Sequence, residues 1–362
     1  MGTLLKWLLI ICTLGCALML TGGVLSQYFD PADYWYLAFL GLVFPILVLL
    51  NCLFLLFWLV KWKKAVFISI VALLISFPAM QSSFSLFSGN KPDSETHKIS
   101  ITSYNVRLFD VFNWSGRKDN GLALLDFLGE SDTDIICMQE FMVNNSQAYN
   151  LKNIKAKLPD NPYSRIEYNF QSYKRKHGLA IFSKYPIINS GKGIFPGTRN
   201  MFMYADIVLV LDTIRVINNH LESIHLDYSQ YNLIDSLNLS STQSNREEYR
   251  RILGSIRQAF RKRAEQARIL KEEINKSPFP VIVCGDFNDT PVSYTYHTIK
   301  KGMNDSFVSN GKWLGASYKQ FMFPLRIDYI LHDRVMSSGN HEVLNIDFSD
   351  HKPVRTDIWF KE

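Results

Sequence analysis

The sequence predicts a layered α/β domain carried behind three membrane-spanning helices. Three observations give this reading. Apolar segments of about 20 residues fill most of the first 88 positions. A polar Gly/Pro stretch follows them. Beyond it, short Val/Ile/Tyr/Phe-rich runs alternate with helical stretches, the pattern of strands and helices packed in layers.

The apolar segments are Leu4–Leu25, Trp35–Val60 and Ala65–Phe87. A helix needs roughly 20 apolar residues to cross a hydrocarbon core of about 30 Å. A cleaved signal peptide accounts for the first segment but not for three in succession. Buried helices of a soluble core are disfavoured, because no charge occurs from Trp35 to Val60. Of 39 basic and 33 acidic residues, only Lys6, Lys61, Lys63, Lys64, Asp30 and Asp33 fall within residues 1–88. The first loop, SQYFDPADYW, holds both Asp and no basic residue, whereas the second, KWKK, holds three Lys. Basic loops stay in the cytoplasm, so KWKK is expected inside and the C-terminal domain on the periplasmic or extracellular side. Tyr34, Trp35, Tyr36, Trp58 and Trp62 are placed to form aromatic belts around the second span. The second and third spans carry no ionisable group of the kind a transport pathway needs. The lipid bilayer is therefore the expected partner and anchoring the expected role. The predicted division is an anchor over 1–88, a linker over 89–98 and a soluble domain over 99–362.

The net charge of +6 is a mild excess, short of what a dedicated nucleic-acid coat carries. None of the five cysteines has metal-ligand or redox spacing. Cys137 and Cys284 sit inside strand-like runs and are expected as small buried hydrophobes rather than as a disulfide.

In the soluble part, strands are predicted at Lys98–Asn105, Ile135–Gln139, Leu179–Ser183, Ala205–Leu211, Thr213–Asn218, Val281–Gly285, Arg326–Leu331 and near Val354–Trp359. Gly121–Gly129 and Glu247–Ile274 are predicted helices. In the second, Leu253, Ile256, Phe260, Ala264, Ala267, Leu270 and Ile274 recur at three- and four-residue steps. The Arg246–Ile274 stretch has nine basic and five acidic residues. That suits a solvated basic face, with a patch for anionic lipid or a polyanion as the alternative. Asp227–Asn245 looks like an insertion ahead of it.

Polar residues stand at the ends of these runs, where strands hand over to loops. ISITSYNVR delivers Asn105, DIICMQE ends in Glu140, RVINNHLES carries His220, and VIVCGDFND carries Asp286, Asn288 and Asp289. RIDYIL carries Asp328, and FSDHKPV supplies Asp350 and His351. Oxygen ligands such as Asn105, Glu140 and Asp350 suit a hard cation: Mg²⁺ first, with Mn²⁺ or Ca²⁺ as alternatives. An imidazole paired to a carboxylate moves protons near neutral pH, and an amide such as Asn288 stabilises developing charge without adding its own. Singly, each residue also has a structural use: Asp286 and Asn288 in an Asx turn, Asp350 as a turn cap, Asp328 as a partner for Arg326. His177, in KRKHGLAIF, is expected as a solvated loop residue.

The ordered series YNVR, QE, HGLAIFSKYPI, NHL, GDFND, RIDYIL, SDHKPV resembles the endonuclease/exonuclease/phosphatase superfamily over Ile99 to Trp359. The resemblance implies a four-layered α/β sandwich of two packed mixed sheets with the site at one edge. It implies metal ligation by Asn105 and Glu140 with Asp350, and orientation of water and phosphate by Asp286 and Asn288. It implies proton transfer or phosphate stabilisation by His351 braced by Asp328, and a phosphate contact from His220. Arg107 stands where some relatives have a second carboxylate, and Lys176–His177 where some have a Glu supporting the residue matching His220. The expected activity is metal-dependent hydrolysis of a phosphate ester, as a phosphodiesterase or nuclease-like hydrolase outside the cytoplasm on a nucleic-acid or phospholipid substrate. The rivals are a phosphomonoesterase or lipid phosphodiesterase on the same scaffold, and a non-catalytic membrane binding module. No protein partner is implied.

Overall fold

A computed structural model of the chain describes residues 2–61, 63–85, 98–210, 212–224, 243–319 and 323–360. Residues 89–97 of the predicted linker, residues 227–242 of the predicted insertion, Trp62 and Phe87 lie outside the described residues.

The apolar N-terminal region forms α1 (Thr3–Leu25), α2 (Pro31–Leu42), α3 (Phe44–Val60) and α4 (Val66–Ser83). Helices α1, α3 and α4 bundle through Ala17, Leu20, Phe44, Leu47, Val48, Ala72 and Ala79. By length and composition α1 and α4 each suffice to cross a membrane. The single span expected over Trp35–Val60 is instead a pair of helices bent by 55°. The chain dictates the break. Asp30 caps α2 by accepting from the Ala32 N–H at 2.8 Å, ahead of Pro31. Pro45 lacks an amide hydrogen and its ring clashes with a preceding turn, so the helix restarts at Phe44. Bent away from α3, α2 packs between α1, through Leu37 and Leu40, and the soluble domain. Trp35, expected in an aromatic belt, sits 5.1 Å beneath the Arg257 guanidinium. Trp58, expected in the same belt, is buried in the bundle, where its indole N–H donates to Thr13 Oγ1 at 2.9 Å.

Among the described residues, the soluble domain holds two six-stranded sheets. The first comprises β1 (Ile99–Asn105), β2 (Ile135–Asn144), β3 (Tyr163–Gln171), β4 (Arg175–Ser183), β11 (Met336–Val343) and β12 (Val354–Phe360), in the order β11-β12-β1-β2-β4-β3. The second comprises β5 (Ile187–Ile194), β6 (Met201–Val208), β7 (Thr213–His220), β8 (Val281–Asp286), β9 (Met303–Asp305) and β10 (Asp328–Asp333), in the order β5-β6-β7-β8-β10-β9. Both faces of the central strands are covered, and β2 and β8 accordingly run apolar without alternation. In β2, Ile135 and Cys137 face the other sheet, while Ile136 and Met138 face helices α5 (Asn120–Gly129) and α6 (Leu151–Ala156). In β8, Ile282 and Cys284 face inward, while Val281 and Val283 meet α7 (Gln243–Asn275) and α8 (Tyr294–Lys300). Helix, sheet, sheet, helix: this is the expected four-layered sandwich. Cys137 and Cys284 are free thiols in its interior.

In α7 the predicted stripe is buried from Ile256 to Ile274, but Leu253 is half exposed and Ile252 packs in its place. Opposite the stripe, Arg250, Arg251, Arg257, Arg261 and Arg268 are exposed, as expected of a solvated basic face, while several basic residues also find partners within the chain. Arg263 is buried against Asp289 at 3.1 Å, Lys262 pairs with Glu222 at 2.6 Å, and Arg268 reaches Asp30 at the start of α2. Arg326 pairs with Asp305 rather than with Asp328. Its guanidinium donates to Asp305 Oδ2 at 2.9 Å and to the Ser82 carbonyl of α4 at 2.6 Å, tying the bundle to the sheets.

Beside that ion pair, His341 of β11 meets Ser306 Oγ at 2.8 Å. Burial pushes its imidazole down to about 4, with Arg326 adding to the effect and Asp305 opposing it. The fold therefore holds His341 neutral while the unfolded chain takes up its proton near ~6.5. The resulting stability is complete above that value and is lost as pH falls from there toward 4, at about 1.4 kcal/mol per pH unit. Relative to His341→Gln, the full chain in detergent should lose melting temperature between pH 7 and pH 5, by roughly 2–4 °C per kcal/mol. An offset independent of pH would remove His341 as the acid-sensitive group.

Candidate functional site

Strand register alone assembles half of the site. On the parallel pair β7–β8, His220 stands opposite Asp286, and on the antiparallel pair β8–β10, Asp286 stands opposite Asp328. Residues in register on adjacent strands share a face about 4.8 Å apart, so the three form one row. Gly285, just before Asp286, lets β8 approach β7 closely: a Cβ there would collide with the Asn219 carbonyl.

The first sheet supplies the rest. Asn105 ends β1. Glu140 lies in a β-bulge of β2, where the pairing with β4 shifts between Met138 and Phe141, and it adopts φ +51°. The bulge separates two neighbours that would otherwise alternate. Gln139 turns inward and donates to Asn218 Oδ1 at 2.7 Å, and Glu140 is re-aimed at the second sheet's row. Asn105 Nδ2 then donates both to Glu140 Oε1 (3.2 Å) and to Asp286 Oδ2 (3.0 Å). His220 Nε2 lies 3.9 Å and 3.7 Å from the same two oxygens.

His351 completes the row from the segment leading into β12. Its Nδ1 is 2.9 Å from Asp328 Oδ2 and its Nε2 is 3.6 Å from Asp286 Oδ2. Burial alone would push this imidazole down, but Asp328, Asp286 and Asp350 outweigh burial and hold it up, at about 10. Burial raises the Asp286 carboxyl and Asp328 adds to that; His351, His220 and Asn105 pull it partly back. Asn288, at φ +53°, closes an Asx turn by donating its N–H to Asp286 Oδ1 at 2.8 Å.

A cleft of about 430 Å³ opens onto Glu140, His220, Asp286, Asn288, Asp350 and His351, with Asn105 and Asp328 hydrogen-bonded behind them. All eight residues expected from the sequence thus gather at one place, but two stand differently from expectation. Asp350 is turned to Arg107, with Nε 3.2 Å from Oδ2. Asn105 presents its amide hydrogens, not its oxygen, to the carboxylates, and its Oδ1 accepts from the Arg107 N–H at 3.1 Å. Asp289, the last carboxylate of GDFND, is buried and paired with Arg263 at 3.1 Å, and both line the cleft.

His177 is not a solvated loop residue. It lies on β4, half-buried and stacked on Phe170 at 4.6 Å, and lines a second cavity of about 410 Å³ that shares Glu140 and His220 with the first. Sequence reasoning also passed over Ser317 and Tyr318. Ser317 Oγ accepts the N–H groups of Ile327 and Asp328 at 3.2 and 3.1 Å, and the Tyr318 ring lies 4.8 Å from His351. The GASYKQ run holding them has neither strand alternation nor a turn signature, so nothing in the sequence marks it.

A family model described as the Endonuclease/Exonuclease/phosphatase family matches residues 102–351, a range that contains every one of these groups. The chain belongs to the endonuclease/exonuclease/phosphatase family. It is accordingly a hydrolase of phosphate ester bonds, in a family that is generally dependent on a divalent metal. A second model, described as a domain of unknown function, matches residues 6–83. No curated protein matches the chain. Among solved structures, an endonuclease/exonuclease/phosphatase family protein from Bacteroides thetaiotaomicron is similar at 17% identity and TM-score 0.52, covering 73% of this chain and 95% of that one. A humanised D. rerio TDP2 is similar at 18% identity and TM-score 0.51, covering 72% and 98%. The family member from Beutenbergia cavernae follows at 14% and 0.51, covering 73% and 72%. These likenesses are of the fold.

The donor set fits a hard cation. Glu140 and Asp286 direct carboxylate oxygens at one locus, marked by the Asn105 amide and the His220 nitrogen between them. Asp286, Asp328 and His351 also offer one ligand atom each within 4.8 Å of one another. There, however, the imidazole already bridges two carboxylates, so that trio is better described as an ion-paired relay.

If the relay acts as a unit, Asp328→Asn should lower turnover by about 10²- to 10⁴-fold, His351→Ala similarly, and the double variant little further. Asp328→Asn is the cleaner probe because it keeps volume. His351→Ala leaves two buried carboxyls without their cation and should also destabilise, by about 3–5 kcal/mol. A folded Asp328→Asn chain with wild-type turnover would exclude the relay.

Proposed function

We propose that the chain is a membrane-anchored phosphodiester hydrolase, working outside the cytoplasm with Mg²⁺. Residues 1–88 form its anchor, 89–98 its linker and 99–362 its catalytic domain. The observation that carries the proposal is His351 fixed between Asp328 and Asp286, beside the carboxylate pair Asp286–Glu140, all facing one cleft. Such a site suits in-line attack on a phosphorus: one group to move a proton, amides to meet the phosphoryl oxygens, and a cation locus to neutralise them. In this assignment His351 braced by Asp328 handles the proton. Asp286 and Asn288 orient water and phosphate, and His220 contacts a phosphate oxygen. A non-catalytic binding module would have no use for an intact set of buried, mutually paired polar groups. D. rerio TDP2, of like fold, has been solved with a single-strand DNA product, which supports a diester as substrate.

Glu140 and Asp286 would hold the cation, with Asn105 joining through its oxygen after rotation of its amide, and Asp350 placed to join if Arg107 turns away. Few protein carboxylates favour Mg²⁺, which keeps waters and substrate oxygens in its shell, over Ca²⁺, which takes six to eight oxygens. Bound there, the cation would offset charge on the phosphoryl oxygens.

The placement outside the cytoplasm rests on charge. α1 ends and α3 begins beside the catalytic domain, and the α4 carbonyl at Ser82 reaches Arg326. Lys61, Lys63 and Lys64, between α3 and α4, therefore fall at the far end of the bundle, the end that basic residues keep in the cytoplasm.

Two measurements test this. Hydrolysis of a chromogenic phosphodiester should vanish in EDTA and return with Mg²⁺ or Mn²⁺; turnover that persists after dialysis against chelator would end the metal assignment. A reporter active only in the periplasm, fused after Glu362, should be active; signal from a cytoplasm-only reporter instead would reverse the topology.

A further inference from the structure

We infer that the cleft draws its substrate from the bilayer on which the domain stands: a phospholipid-type diester whose phosphate lies at the membrane surface. This rests on the diester-hydrolase reading above and names its substrate class.

The first observation is position. Leu42, the last residue of α2, lines the same cleft as Asp286, Asn288 and His351. Two residues later α3 begins, with Phe44 already buried in the membrane bundle. Non-helical Val43 stands between them, so the cleft wall at Leu42 is at most about 7 Å along the chain from the start of that helix. The headgroup layer is about 5–7 Å deep on each side of the hydrocarbon core. With α3 entering the hydrocarbon at Phe44, the cleft wall at Leu42 falls within the headgroup layer.

Composition is the second. Opposite the polar groups, the cleft is walled by Leu42, Ile224, Leu325 and Ile327, part of one apolar cluster shared with α2 and α7. A polynucleotide offers this wall only sugar carbons and base faces, whereas the glyceryl and upper acyl carbons of a lipid diester match its aliphatic chains. Arg107 and Trp114, also on the cleft, suit a headgroup or a base equally and do not decide between them.

Rigidity is the third. Ser26 Oγ donates to the Val292 carbonyl at 2.5 Å, Thr290 Oγ1 to the Gly41 carbonyl at 3.3 Å, and Phe39 meets Phe260 edge-on at 5.3 Å. Gly41 admits no side chain: a Cβ there would strike Ser26 Oγ and come within 2.7 Å of the Val292 carbonyl. With Arg326 holding α4 as well, the domain is docked on its anchor and cannot lift to admit a polymer without breaking these contacts.

The test uses the full chain reconstituted in phosphatidylcholine vesicles containing sphingomyelin and phosphatidylglycerol. A single-strand DNA oligonucleotide and bis(p-nitrophenyl) phosphate are offered in parallel. Release from vesicle lipid should exceed DNA cleavage by about tenfold or more. Leu42→Lys should lower the ratio of lipid to bis(p-nitrophenyl) phosphate turnover by about tenfold. Gly41→Val, which wedges α2 away from the domain, should lower that ratio too. DNA cleaved as fast as lipid overturns the inference, as does a ratio unmoved in both variants. Turnover of bis(p-nitrophenyl) phosphate without lipid cleavage overturns it and leaves the diester-hydrolase reading standing. No turnover of any probe overturns both. The comparison of lipid with DNA in the wild-type chain decides even if a variant fails to fold.

Discussion

Two carboxylates buried side by side set the terms for this site. Strand register makes Asp286 and Asp328 direct neighbours on β8 and β10, and both are almost fully shielded from water. Desolvating a carboxylate costs several kcal/mol, and a second negative charge beside it adds repulsion, unless a cation and hydrogen bonds repay both. Everything nearby answers to that requirement. His351 is inserted between the two carboxylates, Ser317 fixes the backbone at Asp328, and Asn105 donates across from the other sheet. Ser349 ties the segment carrying His351 to the end of β1 through the Asn105 carbonyl at 2.8 Å. The arrangement that makes the charges tolerable is the one that presents Asp286 and His351 to the cleft, with Asp328 behind them.

Elsewhere the protein pairs its charges, buried or partly exposed, and several pairs fasten the N-terminal helices or the helix that meets them. Arg326 with Asp305, Arg263 with Asp289 and Arg268 with Asp30 each join elements distant in sequence. On α7, three cations pair with Asp289, Glu222 and Asp30, and a fourth covers Trp35. A buried pair of this kind adds little net stability over apolar packing but is costly to half-remove, so it fixes geometry more than it adds strength.

What the sequence revealed divides along the sheets. The central strands β1, β2, β4, β6, β7, β8, β10 and β12 are legible because burial enriches them in Val, Ile, Tyr and Phe, continuously so in β2 and β8. The four strands that were not legible, β3, β5, β9 and β11, are the four outer edges. YSRIEYNFQ and IINSGKGI carry polar residues on one side because an edge strand must discourage further pairing, and that reads as loop. The site residues were visible for the same reason as the central strands: each interrupts or follows an apolar run. Arg107 stood in plain view after Asn105, yet its hold on Asp350 depends on four consecutive left-handed residues, Arg107–Asp110, which no propensity foretells. The bend before Pro45 left a signal in the proline itself, but apolarity continuous through Trp35–Val60 concealed it.

The site also depends on how the sheets are seated on one another, since neither sheet holds enough of it alone. The first contributes Asn105, Glu140 and, ahead of β12, Asp350 and His351; the second contributes His220, Asp286, Asn288 and Asp328. The interior between them is apolar, and apolar attraction is non-directional, so it would tolerate a small slide of one sheet over the other. A slide of about 1 Å would spoil hydrogen bonds near 3 Å across the site. Asn218 of β7 supplies the direction the core lacks. It donates to the Met138 and Ala180 carbonyls of the opposite sheet, each at 2.9 Å, and accepts from Gln139 at 2.7 Å. Gln139 is the bulge neighbour of Glu140, so the residue that locks the two sheets is covalently next to one that the lock must place. Leaving the Asn218 amide unpaired in an apolar interior is costly, and that cost makes the alignment of the two half-sites a property of the folded core.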